Sequence, residues 1–228
     1  MAQSIDKAKI KEAVKRRKRE VYTLVKPDMQ LGFVHNNVDC IGCRACEIAC
    51  KDKNGLAPGP RFRRVSYVEG GEYPNVYAYK INMSCNHCAE PACLPTCPTG
   101  AIFKRKKDGI VDIDSTLCIG CRRCEAACPY GAPQFDPADN IVKKCNMCVD
   151  EIDAGRKPYC VMSCMMRVLD IGPIDQLHDS TYETRAIGPN EKTVRQVKNM
   201  ANPDLTNPSI RFIPHSKGVV DGDEKVKI

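Results

Sequence analysis

"CIGCRACEIAC", residues 40–50, sets four cysteines inside eleven residues, and "CIGCRRCEAAC", residues 118–128, repeats the string with nine of its eleven letters unchanged. Two further groups are Cys85, Cys88, Cys93, Cys97 and Cys145, Cys148, Cys160, Cys164, so all sixteen cysteines fall into four groups of four. Each group opens as C-x2-C and closes as C-x3-C, while the insert before the third cysteine is two, four, two and eleven residues long. Constant ends around a variable inner loop mark an internal repeat.

The spacing decides the chemistry. A C-x2-C-x2-C loop aims three thiolates at three corners of one iron–sulfur cubane, and the fourth thiolate must come from elsewhere. In two-cluster bacterial ferredoxins the run C-x2-C-x2-C-x3-C-P sends its last cysteine to the other cluster. Groups one and three match the cysteine run, group three adds Pro129, and group two keeps Pro98 behind a longer insert. Groups two and three therefore look like one bacterial ferredoxin embedded in the chain, with groups one and four flanking it. The simplest pairing is nested. Cys40, Cys43, Cys46 and Cys164 would hold one cluster, and Cys145, Cys148, Cys160 and Cys50 a second. Cys85, Cys88, Cys93 and Cys128 would hold a third, and Cys118, Cys121, Cys124 and Cys97 a fourth. A sequential pairing, group one with two and three with four, satisfies the same count and stays open on spacing alone.

Composition agrees with cofactors that help hold the fold. Of 228 residues none is tryptophan and five are phenylalanine, and the 43% apolar share includes the cysteines. Sixteen prolines and fifteen glycines point to short elements and many turns. A 4Fe-4S core on four thiolates carries about −2, so four bring about −8 and take the formal +7 to about −1. Arg44, Arg122 and Arg123, beside cluster ligands, are placed to raise reduction potentials. Structural zinc sites pair C-x2-4-C elements across a longer spacer, which four cysteines in eleven residues fit poorly, leaving a zinc-organised interaction module as a remote alternative. C-x2-C neighbours make strained disulfides, and aromatics are too sparse among the basic stretches for a nucleic-acid surface. His87 reads as a polar residue lining a cluster loop rather than a ligand, and Met162, Met165 and Met166 as packing around group four. No catalytic triad, phosphate loop or carboxylate pair is present, so the chain reads as non-catalytic.

The expected fold class is α+β: two nested bacterial-ferredoxin-like modules with β-hairpin insertions and an extended C-terminal tail. Residues 1–31 form a basic arm. Within it Ser4 would cap a helix over 4–22 with Ile10, Val14 and Val21 on one face, either docking a partner or standing as a solvated arm. Residues 32–84 with 141–175 make the outer module and 85–140 the inner one. Hairpins are expected over 62–81, turning near Gly70-Gly71, and over 101–114 around Asp108-Gly109. "RVLDIG" reads as a strand, a short helix is expected from Pro173, and 176–228 is a proline-punctuated tail expected to wrap a partner. No apolar run reaches eighteen residues, so no membrane span is expected. "KRRKRE", residues 15–20, is followed by no apolar h-region, so no export signal of the chain's own is read.

"SCNHCAEPACLPTCPTGAI", "CIGCRRCEAACPYGAPQF", "KCNMC" and the spaced "CVMSC" closely resemble the four-cluster electron-transfer (beta) subunit of dimethyl sulfoxide reductase-type molybdoenzymes. The likeness runs over most of residues 32–214, including "FRRV", "NVYAY" and "DIGPIDQL". It implies four 4Fe-4S clusters with the nested ligands above. It also implies a catalytic partner carrying a molybdenum or tungsten bis-pyranopterin, and in many relatives a membrane subunit that exchanges electrons with quinol. Some relatives replace the second cysteine of group three by tryptophan and hold a 3Fe-4S cluster, so Cys121 implies a full 4Fe-4S set. Location would be cytoplasmic, or extracytoplasmic by co-export with a signal-bearing catalytic partner. A similar polyferredoxin subunit of formate dehydrogenase or hydrogenase complexes is the alternative.

Overall fold

The computed structural model describes residues 27–178, 183–189 and 191–220. The expected helix over 4–22, most of the basic arm and residues 221–228 of the tail lie outside these. The chain is a mixture of short helices and strands, as an α+β ferredoxin-like protein requires.

The organising strand is β1, Leu31–Asn36, whose "LGFVHN" is buried at all six positions. It lies between β8, Leu169–Pro173, and β9, Ile210–Ile213. The β8 pairing is antiparallel, from Leu31↔Pro173 to His35↔Leu169, and the β9 pairing is parallel, from Phe33↔Ile210 to Asn36↔Ile213. Because successive side chains point to opposite faces, Leu31 and Phe33 join Leu169, Ile171, Ile210 and Phe212 in the main core. Val34 instead packs with Leu177, Ala186, Ile187 and Ile213 in a smaller one.

Two features differ from the sequence reading. Within the segment expected to be a tail, β9 completes the central sheet of its own chain, and Val197 joins the main core. No short helix starts at Pro173. That proline ends β8, the Ile174 amide donates to the Gln30 carbonyl beside the sheet, and residues 174–178 run in turns, with Gln176 N donating to Pro173 O at 2.9 Å.

Three antiparallel hairpins extend from this centre. β2, Arg64–Gly70, pairs with β3, Tyr77–Met83. Gly71 begins their turn at φ 86°, where a Cβ would strike the Asn75 carbonyl. β4, Ile102–Lys104, pairs with β5, Val111–Ile113, and Asp108 and Gly109 lie in the connection. β6, Gln134–Asp136, pairs with β7, Ile141–Lys143, across a turn the sequence reading did not single out.

The helices grow out of the cysteine loops. They are α1, Ala45–Lys53; α2, Arg123–Ala127; α3, Val149–Asp153; and α4, Tyr159–Met162. α1 and α2 start after a left-handed Arg44 (φ 61°) and Arg122 (φ 60°). Among the described residues no helix is long and apolar enough to cross a membrane.

Phe212 is fully buried between the sheet and the main core. Phe212→Ala is expected to cost about 3–5 kcal/mol, seen as a lower denaturant midpoint. An unchanged midpoint would show that β9 is not part of the cooperative unit.

Candidate metal centres

One backbone device recurs at all four groups. The residue before the second cysteine is left-handed: Gly42 at φ 73°, His87 at 42°, Gly120 at 67° and Met147 at 60°. Such a kink between two cysteines brings their side chains to the same side and lets intervening amides face inward, as in anion-binding nests. Glycine does this freely, whereas His87 and Met147 carry a strain of order 1–3 kcal/mol. Both are wholly buried, so packing holds them there.

The loops and helices bring the sulfurs together across long stretches of chain. Cys40, Cys43, Cys46 and Cys164 line one cavity, Cys85, Cys88, Cys93 and Cys128 a second, and Cys97, Cys118, Cys121 and Cys124 a third. Cys50 is close enough to Cys145, Cys160 and Cys148 for each to perturb it, so these four make the remaining gathering. Among the described residues no three thiol, imidazole or carboxylate groups converge tightly enough to grip a single metal ion. Tetrahedral zinc with Zn–S of about 2.3 Å needs tighter convergence. Sulfurs standing around a cavity suit a polynuclear group.

Hydrogen-bond donors address several of these sulfurs. Asn82 Nδ2 donates to Cys46 Sγ at 3.2 Å, the Met147 amide to Cys145 Sγ at 3.3 Å and the Val142 amide to Cys118 Sγ at 3.4 Å. Donors of this kind stabilise thiolate and tune a bound cluster. Several of the thiols resist ionising. Burial pushes Cys88 up to about 12, and burial together with neighbouring sulfurs takes Cys124 to about 11. Cys145 is pushed up to about 11 by burial, with Arg63 opposing. Cys97 is the exception. Burial would raise it, but bonds from Thr99 and from the backbone amides of Ile102, Thr99 and Ala101 together bring it below the ordinary value.

Arg44 lines the Cys40 cavity and Arg122 the Cys97 cavity, as their places beside ligands suggested, but Arg44 lies over the Tyr67 ring 4.0 Å from Glu47 and Arg122 pairs with Glu125 at 2.7 Å. Arg122 and Arg123 are exposed, so the arginines beside the ligands are solvated or already paired. His87 is fully buried and its Nδ1 accepts the Val111 amide at 3.1 Å, so it braces β5. Burial, with Lys144 beside it, keeps that imidazole well below its usual pKa and neutral. Met162, Met165 and Met166 are 43%, 66% and 44% exposed at the end of α4 and in the turn after it, and Met166 lines the Cys40 cavity together with Cys164 of group four.

Two buried cations that sequence reasoning missed also sit among the sulfurs. Arg63 is 1% exposed, and its guanidinium donates to Asn82 Oδ1 at 2.9 Å and Ser84 Oγ at 3.0 Å over the Phe33 ring. Its Nε has no hydrogen-bond partner among the described residues. Burial would lower its pKa, but Cys160, Cys145, Cys46 and Cys50 around it raise it overall. Lys144, 5% exposed, lines the Cys85 cavity and donates to the Val111 and Cys145 carbonyls. Neither forms an ion pair with a carboxylate of the described residues. A buried cation costs several kcal/mol unless an anion compensates it, and neutral thiols supply none. Four cysteine sets plus two buried cations with no carboxylate of the described residues in contact, only Asp112 reaching Lys144 from farther off, fit dianionic clusters.

Comparison with known proteins agrees. Residues 76–174 match the family described as a 4Fe-4S dicluster domain, a stretch that takes in groups two, three and four. The B component of the anaerobic dimethyl sulfoxide reductase of Escherichia coli is 41% identical over 202 residues, covering 85% of this chain and 93% of that protein. Its counterpart of the same description in Haemophilus influenzae is 38% identical over 203 residues, covering 85% and 94%. The B component of the sulfite dehydrogenase of Allochromatium vinosum is 38% identical over 175 residues, covering 68% and 72%. The chain thus belongs to the family of iron–sulfur electron-transfer subunits of dimethyl sulfoxide reductase-type oxidoreductases.

Proposed function

We propose that this chain is a four-cluster relay, with no substrate chemistry of its own, that carries single electrons to or from a molybdenum or tungsten bis-pyranopterin catalytic subunit. The observation that carries the reading is the gathering of sixteen cysteines into four sets of four, each set completed by the last cysteine of another group. Bound to such a set, a 4Fe-4S cluster supplies a one-electron site. The ligands are Cys40, Cys43, Cys46 and Cys164; Cys50, Cys145, Cys148 and Cys160; Cys85, Cys88, Cys93 and Cys128; and Cys97, Cys118, Cys121 and Cys124.

The chain's residues then do three things. The cysteines fix each site, and the Asn82, Met147 and Val142 donors polarise sulfur toward thiolate. Apolar walls such as Ile102, Ile113 and Val142, or Val65 and Val168, exclude water and limit reorganisation. The fold also orders the sets. Each C-x3-C joins two of them: Cys46 to Cys50 and Cys160 to Cys164 link the Cys40 and Cys50 sets, while Cys93 to Cys97 and Cys124 to Cys128 link the Cys85 and Cys97 sets. Cys145 and Cys85 perturb one another across the middle. The series runs Cys40, Cys50, Cys85, Cys97. Relatives named as components of a reductase and of a dehydrogenase support a catalytic partner. We place a membrane subunit exchanging electrons with quinol, and co-export with a signal-bearing partner, on the same likeness.

Anaerobically prepared protein should contain about sixteen irons and as many sulfides per chain and no stoichiometric zinc; a colourless zinc protein would end the reading. Isolation of the native complex should yield a molybdopterin subunit, whereas a nickel–iron subunit would favour the hydrogenase-type alternative.

The pairing has its own test. In the double variant Cys50→Ser, Cys148→Ser both changes strike one set, so about twelve irons should remain. Sequential pairing would put them in two clusters and leave about eight.

Because thiols such as Cys88, Cys124 and Cys145 have raised pKa values, they are protonated at neutral pH and must shed protons to bind iron. Reconstitution of stripped protein should therefore release protons into weakly buffered solution at pH 8 and run more completely at pH 9 than at pH 7, followed by visible absorbance. Loading that is indifferent to pH would show that the thiols are already ionised.

A further inference from the structure

We propose that Arg63 and Lys144 are fixed positive charges lodged between successive cysteine sets, which raise the reduction potentials of the clusters on either side and so set the level of the middle of the relay. The inference rests on the four-cluster reading above and adds to it the residues that govern its energetics.

Arg63 sits where two sets meet. The sulfurs it interacts with are Cys46 of the Cys40 set and Cys160, Cys145 and Cys50 of the next. Its place is fixed by the β2–β3 hairpin, since it directly precedes β2 while Asn82 and Ser84, at the end of β3 and just beyond it, hold its two Nη atoms. Asn82 donates in turn to Cys46 Sγ, so one hydrogen-bonded chain joins guanidinium to ligand. Phe33 closes the other side at 4.3 Å. Lys144 occupies the corresponding position one junction along, among Cys85 and Cys93 of one set and Cys145 of the other, with the Asp112 carboxylate offsetting part of its charge without contacting it. Its two carbonyl acceptors, on Val111 and Cys145, tie β5 to the fourth cysteine group.

Reduction adds one electron to a neighbouring cluster, with no bond made or broken in the protein. A nearby cation favours that added charge, and more strongly where water cannot screen it. The Cys97 set provides an internal control. The cation lining its cavity, Arg122, is 60% exposed at its side chain and paired with Glu125. Arg63 and Lys144 should thus act on the other three sets, sharing the Cys50 set between them.

The test is potentiometric titration of the loaded chain followed by electron paramagnetic resonance, comparing Arg63→Gln and Lys144→Gln with the charge-keeping Arg63→Lys and Lys144→Arg. Each charge-removing variant should lower two of the four midpoints, one of them common to both, and leave the Cys97 set in place. The expected size is at least tenfold in the reduced-to-oxidised ratio at fixed potential, or 59 mV for a one-electron step. The charge-keeping variants should stay near the parent. If Arg63→Gln fails to load iron, Lys144→Gln and Asn82→Asp, which sets a carboxylate against the guanidinium, decide by the same criterion. Midpoints that do not move, or that move equally in charge-keeping and charge-removing variants, overturn the proposal. Parent protein lacking iron and cluster signals would instead fail the relay reading itself.

Discussion

Cys46 and Cys50 stand four residues apart on one face of α1, yet their sulfurs belong to different sets. Much of the molecule follows from that division. One helical turn, about 6 Å of rise for four residues, is the distance over which the chain passes from one set to the next, and every C-x3-C repeats the step. A loop with three cysteines can gather three sulfurs locally, but the fourth must come from a distant segment, which forces far parts of the chain to pack together. The central sheet reflects this demand. β1, just before group one, pairs with β8, just after group four, and so ties the two ends of the cysteine-bearing stretch together.

The same demand explains a core that is unusual in content. The main cluster of buried residues includes Cys46, Cys50, Cys85, Cys145, Cys160 and Cys164 beside Phe33, Ile210 and Phe212. With no tryptophan and few phenylalanines, aliphatic and aromatic contacts are interrupted by cavities lined with sulfur. Clusters bound there would supply both packing and the counter-charge for Arg63 and Lys144. Folding and loading are then coupled, as in other proteins whose metal binding completes the interior.

Local features were legible in the sequence where local chemistry determines them. The C-x2-C and C-x3-C spacing marks the loops, and Asp108-Gly109 and Gly70-Gly71 mark connections between short strands. Gly42 and Gly120 signal a left-handed kink, but His87 and Met147 adopt the same kink with no glycine to announce it, because buried packing overrides their intrinsic preference. β9 was illegible for a different reason: its parallel partner lies more than 170 residues earlier, and no short-range signal encodes such a pairing. Arg63 looked like one member of the basic "RFRRV" stretch, and only burial separates it from Arg61, which lies at the surface and pairs with Glu47. Arginine next to a ligand in sequence is a poor guide to an unscreened charge, since Arg44 and Arg122 line their cavities but are exposed and paired with glutamates.

Exposure completes the logic of a wire. Of the sixteen cysteines only Cys43 and Cys121 are exposed, and they belong to the Cys40 and Cys97 sets, the two ends of the series. Cys50, Cys145, Cys148 and Cys160 are all buried, and in the Cys85 set only Cys88 and Cys128 are even partly accessible. A relay must admit electrons at its ends and lose none along its length, so its inner sites need insulation and its outer sites need a thin wall. The repeated C-I-G-C loop provides that thin wall twice, and at each tip the isoleucine stands out in solvent, Ile41 at 52% and Ile119 at 63%. In the proposed relay, an exposed apolar residue beside each exposed cysteine would give a partner a dry contact at either end of the series.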